Sequence, residues 1–139
     1  MNAYEQLITK QKKEYNAFPM YMCCCQKDYE EMMTKFGLTT NDEDKITTVG
    51  LDTYCYIRKS DEQAYCDMMK RHDNELKEAI LNDKTGEGFI YEMFSYELKT
   101  YGYISDELEE TLFNLTLKIE DKNVKDLLLH GYKKAKEKH

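Results

Sequence analysis

Hydrophobic residues along this chain recur mostly at three- and four-residue intervals, the spacing that lines one face of an α-helix. Between residues 2 and 15, Tyr4, Leu7, Ile8, Gln11 and Tyr15 fall on one side, and Asn2 with Glu5 stands where a cap and its partner belong. Residues 27–36 repeat the pattern through Tyr29, Met32, Met33 and Phe36, with Gly37 as a stop. Ser60 and Gln63 form a capping box for the longest predicted helix, to Asn82, whose inward stripe is Tyr65, Met68, Met69, His72, Leu76, Ala79 and Ile80. A further helix carries Phe89 or Ile90, Met93, Phe94 and Leu98 inward and ends at Tyr101–Tyr103. Ser105 caps another, with Leu108, Leu112 and Leu115 as its stripe. Asp121 starts the last, which uses Val124, Leu127, Leu128, Tyr132 and Ala135, and its lysine-rich end suits the helix dipole.

Two stretches break this rhythm. After Pro19 the uncharged run to Cys25 alternates Met20, Met22 and Cys24 against Tyr21, Cys23 and Cys25, predicting a buried strand whose cysteines act as small hydrophobes. Lys45–Val49 and Thr53–Lys59 are β-rich runs flanking Gly50, Leu51 and Asp52, and they predict an antiparallel hairpin. The fold class that follows is α+β: a small antiparallel sheet of about three strands packed against five or six amphipathic helices, as one domain over residues 1–139.

Charge narrows the function. Twenty-seven acidic against 20 basic residues give a formal net charge of −7, the wrong balance for a general nucleic-acid binder. An acidic surface serves solubility, or it meets a basic groove on another protein. The five cysteines are odd in number and three are contiguous, so no disulfide framework is read and a reducing cytoplasm is expected. No secretory signal is visible, and the longest apolar run, Phe18 to Cys25, falls far short of the ~20 residues a membrane span needs.

Candidate chemistry is sparse. Asp83, Gly88 and Ile90 match positions 1, 6 and 8 of a calcium-binding EF-hand loop, but position 12, which needs a bidentate carboxylate, holds Phe94. The loop is therefore expected to be architectural, with Gly86 or Gly88 at positive φ. The cysteines form no Cys-x-x-Cys pair and no zinc spacing with a histidine, so no metal or cofactor is expected. His72 is the one histidine on a helical apolar stripe, and six residues separate it from Cys66, about a third of a turn around the helix. That excludes a nucleophile–base pair within this helix and favours a histidine satisfied by a carboxylate or the backbone. No phosphate loop, dinucleotide fingerprint, nucleophile elbow or paired-carboxylate signature is present, and no catalytic residue is assigned. The 12 tyrosines are the oddest feature of the composition. Tyr91, Tyr96, Tyr101 and Tyr103 fall off the obvious core stripes and cluster in one segment, as a binding patch would.

The segments Asn16–Met20, Ile57–Lys59, Arg71–His72, Asp83–Ile90, Tyr96–Leu98, Tyr101–Tyr103 and Leu128–Gly131 run through nearly the whole chain in one order. Together they resemble a family of small uncharacterised proteins of phages and prophages from Firmicutes and related gut bacteria. The cysteine triplet and Asp52–Cys55 depart from the family pattern. The resemblance implies a genomic setting rather than an activity. The expected function is a non-catalytic, phage-encoded accessory protein of the host cytoplasm that binds and inhibits a host factor, such as an anti-phage defence protein. The alternative is a sponge for a defence signalling nucleotide, with Tyr101 and Tyr103 stacking the base and Arg58, Lys59 or Arg71 holding the phosphates. A small enzyme built around His72 is the least favoured class. The residues singled out for ligand or partner binding are Arg58, Lys59, Arg71, His72, Tyr101 and Tyr103.

Overall fold

The computed structural model describes residues 1–50, 54–101 and 121–138, and within them the amphipathic segments become five α-helices and a three-stranded antiparallel sheet. In chain order these are α1 (Ala3–Ala17), β1 (Tyr21–Met22), α2 (Gln26–Lys35), β2 (Ile46–Thr48), β3 (Cys55–Arg58), α3 (Glu62–Asn82), α4 (Phe89–Tyr101) and α5 (Lys122–Lys138). The helix expected from Ser105 lies outside the described residues. Contacts cluster into two compact units, Lys13–His72 and Met1–Lys12 with Asp73–His139; helices α1 and α3 run through both.

The Lys13–His72 unit holds the sheet, in the order β1-β3-β2. The expected hairpin forms, with Ile46 opposite Arg58, Thr47 opposite Ile57 and Thr48 opposite Tyr56. Tyr56, on the face it shares with Ile46, packs with Tyr21, Tyr29 and Phe36 around buried Cys23, Met32, Met33 and Ile46, so α2 covers that face. Helix α2 stops at Gly37, where Gly37 N–H donates to Thr34 O at 3.0 Å and Leu38 N–H to Met33 O at 2.7 Å, satisfying the last carbonyls.

The strand expected to run to Cys25 is cut to Tyr21–Met22. Cys23 alone is buried; Cys24 and Cys25 are exposed. The cause is local: Cys24 N–H donates to the Asp28 carboxylate at 3.2 Å and Cys25 becomes the residue that opens α2, so the helix start captures backbone that the strand would have used. Met69, expected on the inward stripe of α3, is exposed.

In the second unit, α4 and α5 pack most extensively, around Ile80, Ile90, Met93, Phe94, Leu98, Leu128, Tyr132 and Ala135. Phe94 is fully buried and meets Tyr132 edge-on, its centroid 5.3 Å away, a burial worth about 2–3 kcal/mol. The turn into α4 is organised by one carboxylate. Asp83 Oδ1 accepts from Thr85 N–H, Thr85 Oγ1–H and Gly86 N–H, and Oδ2 accepts from Gly88 N–H and Ile90 N–H, all at 3.0–3.1 Å. Both oxygens are thus committed to the protein, and the loop reads as the cap of α4. Gly86, not Gly88, takes the positive φ, at +76°. A Cβ there would lie 2.6 Å from Leu127 O, and one on Gly131 of α5 would lie 2.5 Å from Gly86 O and 2.6 Å from Ile90 Cγ2. Loop and helix therefore touch backbone to backbone, a closeness that only two glycines permit. Lys134 and His130 of α5 approach the Glu87 carboxylate and close the outer side of the same contact.

Candidate functional site

Arg58 ends β3 just before a 3-10 turn, Lys59–Asp61, that leads into α3. Its guanidinium lies over the Phe36 ring, 5.3 Å from the centroid, and Nε donates to Asp61 Oδ2 at 2.8 Å. With Leu38, Asp44, Lys45, Lys59 and Ser60 it lines a pocket of about 240 Å³. Three cations meet there, but Arg58 is paired with Asp61, Lys45 with Asp42 at 3.3 Å, and Asp44 stands in the wall. The backbone N–H of Thr39, with the Lys45 ammonium and Thr39 hydroxyl, holds the Asp42 carboxyl below the ordinary range, so this acid stays charged. The pocket is close to neutral as a whole.

Arg71 and His72 converge on a different group. Arg71 donates to Glu14 Oε2 at 2.5 Å, and His72 Nε2 stands 3.6 Å from the same oxygen. His72 is buried and Glu14 half-buried. The Arg71 hydrogen bond, outweighing burial and aided by the Arg71 and His72 charges, keeps the Glu14 carboxyl below its usual range. A carboxylate thus stands near the buried histidine, one of the two kinds of partner, carboxylate or backbone, expected for it. Neither Arg71 nor His72 lines the Arg58–Lys59 pocket, so the residues proposed to grip phosphates divide between two places.

Of the clustered tyrosines, Tyr91 and Tyr96 are half-buried, and each lines a surface pocket of its own. Tyr96 packs on Tyr4, centroids 5.5 Å apart, and Tyr91 lies against the same core under Lys138. Tyr101 is the last residue of α4; its side chain and the whole of Tyr103 lie outside the described residues.

A groove that sequence reasoning missed runs beside β2. It measures about 470 Å³ and is lined by Gln26, Tyr29, Thr40, Glu43, Tyr56 and the three residues of β2. Tyr29 and Tyr56 meet edge-on, 6.2 Å between centroids. Burial, then the neighbouring Glu43 and Tyr56, pushes the Tyr29 phenol up, so it remains a hydrogen-bond donor. Apart from Ile46, the lining is hydroxyls, one amide and one carboxylate, without a lysine or arginine. Its residues come from α2, a loop and two strands, and no local motif joins them. The one signal in the sequence was the density of threonines at Thr39, Thr40, Thr47 and Thr48 around the acidic run Asp42–Asp44.

Comparison with known proteins places the chain in a family. The chain belongs to a family of unknown function, DUF7659. The match covers residues 3–138, so family membership extends over both compact units. No curated protein matches the chain. No solved structure matches it either. Among the described residues, no helix is long and apolar enough to cross a membrane.

Proposed function

We propose that this chain is a non-catalytic binding protein of the host cytoplasm that acts by occupying a host protein, as a phage accessory protein does when it blocks a host factor such as a defence component. The observation that carries this reading is the disposition of charge. Arg58 and Arg71 neutralise the chain's own carboxylates, whereas the open groove beside β2 presents Glu43. Together with a net charge of −7, that distribution suits a basic protein surface better than a phosphate-bearing ligand. The phage setting rests on the family resemblance of the sequence segments. The test is reconstitution: the purified chain captures a protein from host lysate at low ionic strength, and the captured protein is then purified and recombined with it. The expected result is a stoichiometric complex that inhibits that protein and weakens as salt rises. Failure of any complex to re-form at low salt overturns the proposal.

One observation favours a second reading, sequestration of a signalling nucleotide. Lys59 has no partner among the described residues and shares its pocket with Arg58 and Lys45. A nucleotide held there raises the melting temperature at saturation; a panel of cyclic and ADP-ribose nucleotides that leaves it unmoved eliminates this reading.

A further inference from the structure

Among the described residues, strand β2 is an edge of the sheet, paired on one side with β3. The register and one further hydrogen bond fix where its backbone points. Val49 N–H donates to Cys55 O at 3.0 Å, which makes Val49 and Cys55 a hydrogen-bonded pair. Antiparallel pairs alternate, so Thr47 opposite Ile57 is bonded as well, and Ile46 and Thr48 turn their N–H and C=O groups away from β3. Side chains of a strand alternate between faces. A groove that touches Ile46, Thr47 and Thr48 in succession therefore reaches the strand's edge as well as the face that Ile46, Thr48 and Tyr56 share.

Natural sheets commonly blunt such edges with lysine, proline or a bulge. Here the edge carries two threonines and opens into a groove walled by the Tyr29 and Tyr56 rings. The one charged side chain lining it is Glu43, which is exposed and forms no ion pair among the described residues. Asp42 and Asp44, its neighbours, are directed elsewhere: Asp42 pairs with Lys45, and Asp44 lines the pocket beside Arg58.

We infer that this groove receives an extended segment of the partner protein as a fourth strand on β2, with a lysine or arginine of that segment held by Glu43. The segment would exchange backbone hydrogen bonds with Ile46 and Thr48, lay a side chain against the tyrosine rings and accept a hydrogen bond from the Tyr29 hydroxyl. Charge complementarity selects the occupant, since a groove whose only ion is a carboxylate attracts a cationic strand and repels an acidic one. A second copy of this chain would bring its own acidic run to the same place. The inference rests on the proposed partner-binding function and assigns it a surface.

The probe is a set of ten-residue peptides of alternating valine and threonine, identical except for lysine, arginine, glutamine or glutamate at one central position. They are titrated into the isotope-labelled full chain while backbone amide shifts are followed. Saturable shifts centred on Ile46–Thr48 are expected, with the lysine and arginine peptides binding about five-fold or more tighter than the glutamate peptide, the scale of one exposed ion pair. Glu43→Lys should reverse that preference. Thr48→Pro deletes an outward N–H without touching the ladder to β3, and should abolish binding while the rest of the spectrum stays folded. Glu43→Lys keeps the test decisive if the proline variant does not fold. Shifts elsewhere, no shifts at millimolar peptide, or binding indifferent to both variants overturns the inference. So does a β2-dependent dimer of the chain that excludes the peptide. A captured partner whose binding survives both variants removes this surface and leaves the proposed function standing; a chain that binds the peptides but re-forms no partner complex does the reverse.

Discussion

The Asp83–Ile90 turn and the β2 edge are both rich in polar residues and partly exposed, yet the chain treats their hydrogen-bonding groups in opposite ways. At the turn every acceptor of Asp83 is filled from within, and Gly86 and Gly131 bring backbone against backbone. At β2 the outward groups of Ile46 and Thr48 face an open groove. The turn is the more conspicuous in the sequence because a cap needs its residues in fixed local order. The groove has no such order, because its parts meet only through pairing and packing. A motif that is easy to read is therefore not by that fact a functional one, and here the legible motif is structural.

The comparison breaks most readily at the glycines. Gly86→Ala forces a Cβ at φ +76° and within 2.6 Å of Leu127 O, and should cost about 3 kcal/mol, with Gly131→Ala of similar size. Denaturant midpoints read at unchanged m would check both; a loss below ~1 kcal/mol would mean that loop and helix are not held in contact.

Next in size is Asp83→Ala, which strands the amides that open α4 and should cost about 2 kcal/mol, equally with calcium or with chelator. A calcium-dependent rise in melting temperature confined to the wild type would make the turn an ion site instead. The same residue sets an acid limb. Burial pulls the Asp83 carboxyl up, but the bonds from Ile90, Thr85 and Gly86 outweigh it and leave it below the ordinary value. A depressed carboxyl contributes stability that is complete above its unfolded value of about 4 and is lost as pH falls through the folded value. Asp83→Ala should flatten that limb of the stability profile.

A smaller effect is expected at Glu87, which Lys134 and His130 hold from α5 at the surface. Glu87→Gln should shift the melting temperature less than Asp83→Ala does, and the shift should vanish near 1 M salt, where charges are screened beyond ~3 Å. The smallest effect belongs to the other region. Thr48→Pro removes an N–H that no described residue uses and should leave the melting temperature almost unchanged, whereas a large loss would mean the edge is already satisfied within the fold.

Most of the helices were legible because each keeps its apolar stripe and its punctuation together: Asn2 caps α1, Gly37 stops α2, and Asp121 accepts from Asn123 N–H and Val124 N–H to start α5. The hairpin was legible for the same reason. The cysteine strand was not, since alternation over Met20–Cys25 competes with a helix start at Cys24 and Cys25 that one aspartate four residues on is enough to favour. Of the residues singled out for binding, only local relations were legible: Arg58 and Lys59, adjacent in sequence, line one pocket, and His72 lies near a carboxylate.

Which carboxylate it meets is another matter. Glu14 lies 57 positions from Arg71, and buried Glu97 is held by the Tyr4 hydroxyl at 2.6 Å from 93 positions away. By itself the sequence determined most of the described helices, several of their caps, the hairpin and the α+β class, because periodicity, capping and turn chemistry act over a few residues. Only the tertiary structure decided that Tyr91 and Tyr96 pack partly against the core, that Arg71 is committed to Glu14, and that among the described residues the edge of β2 is left open beside Glu43. Those outcomes depend on which distant side chain arrives to satisfy a buried or charged group, and no short-range pattern carries that information.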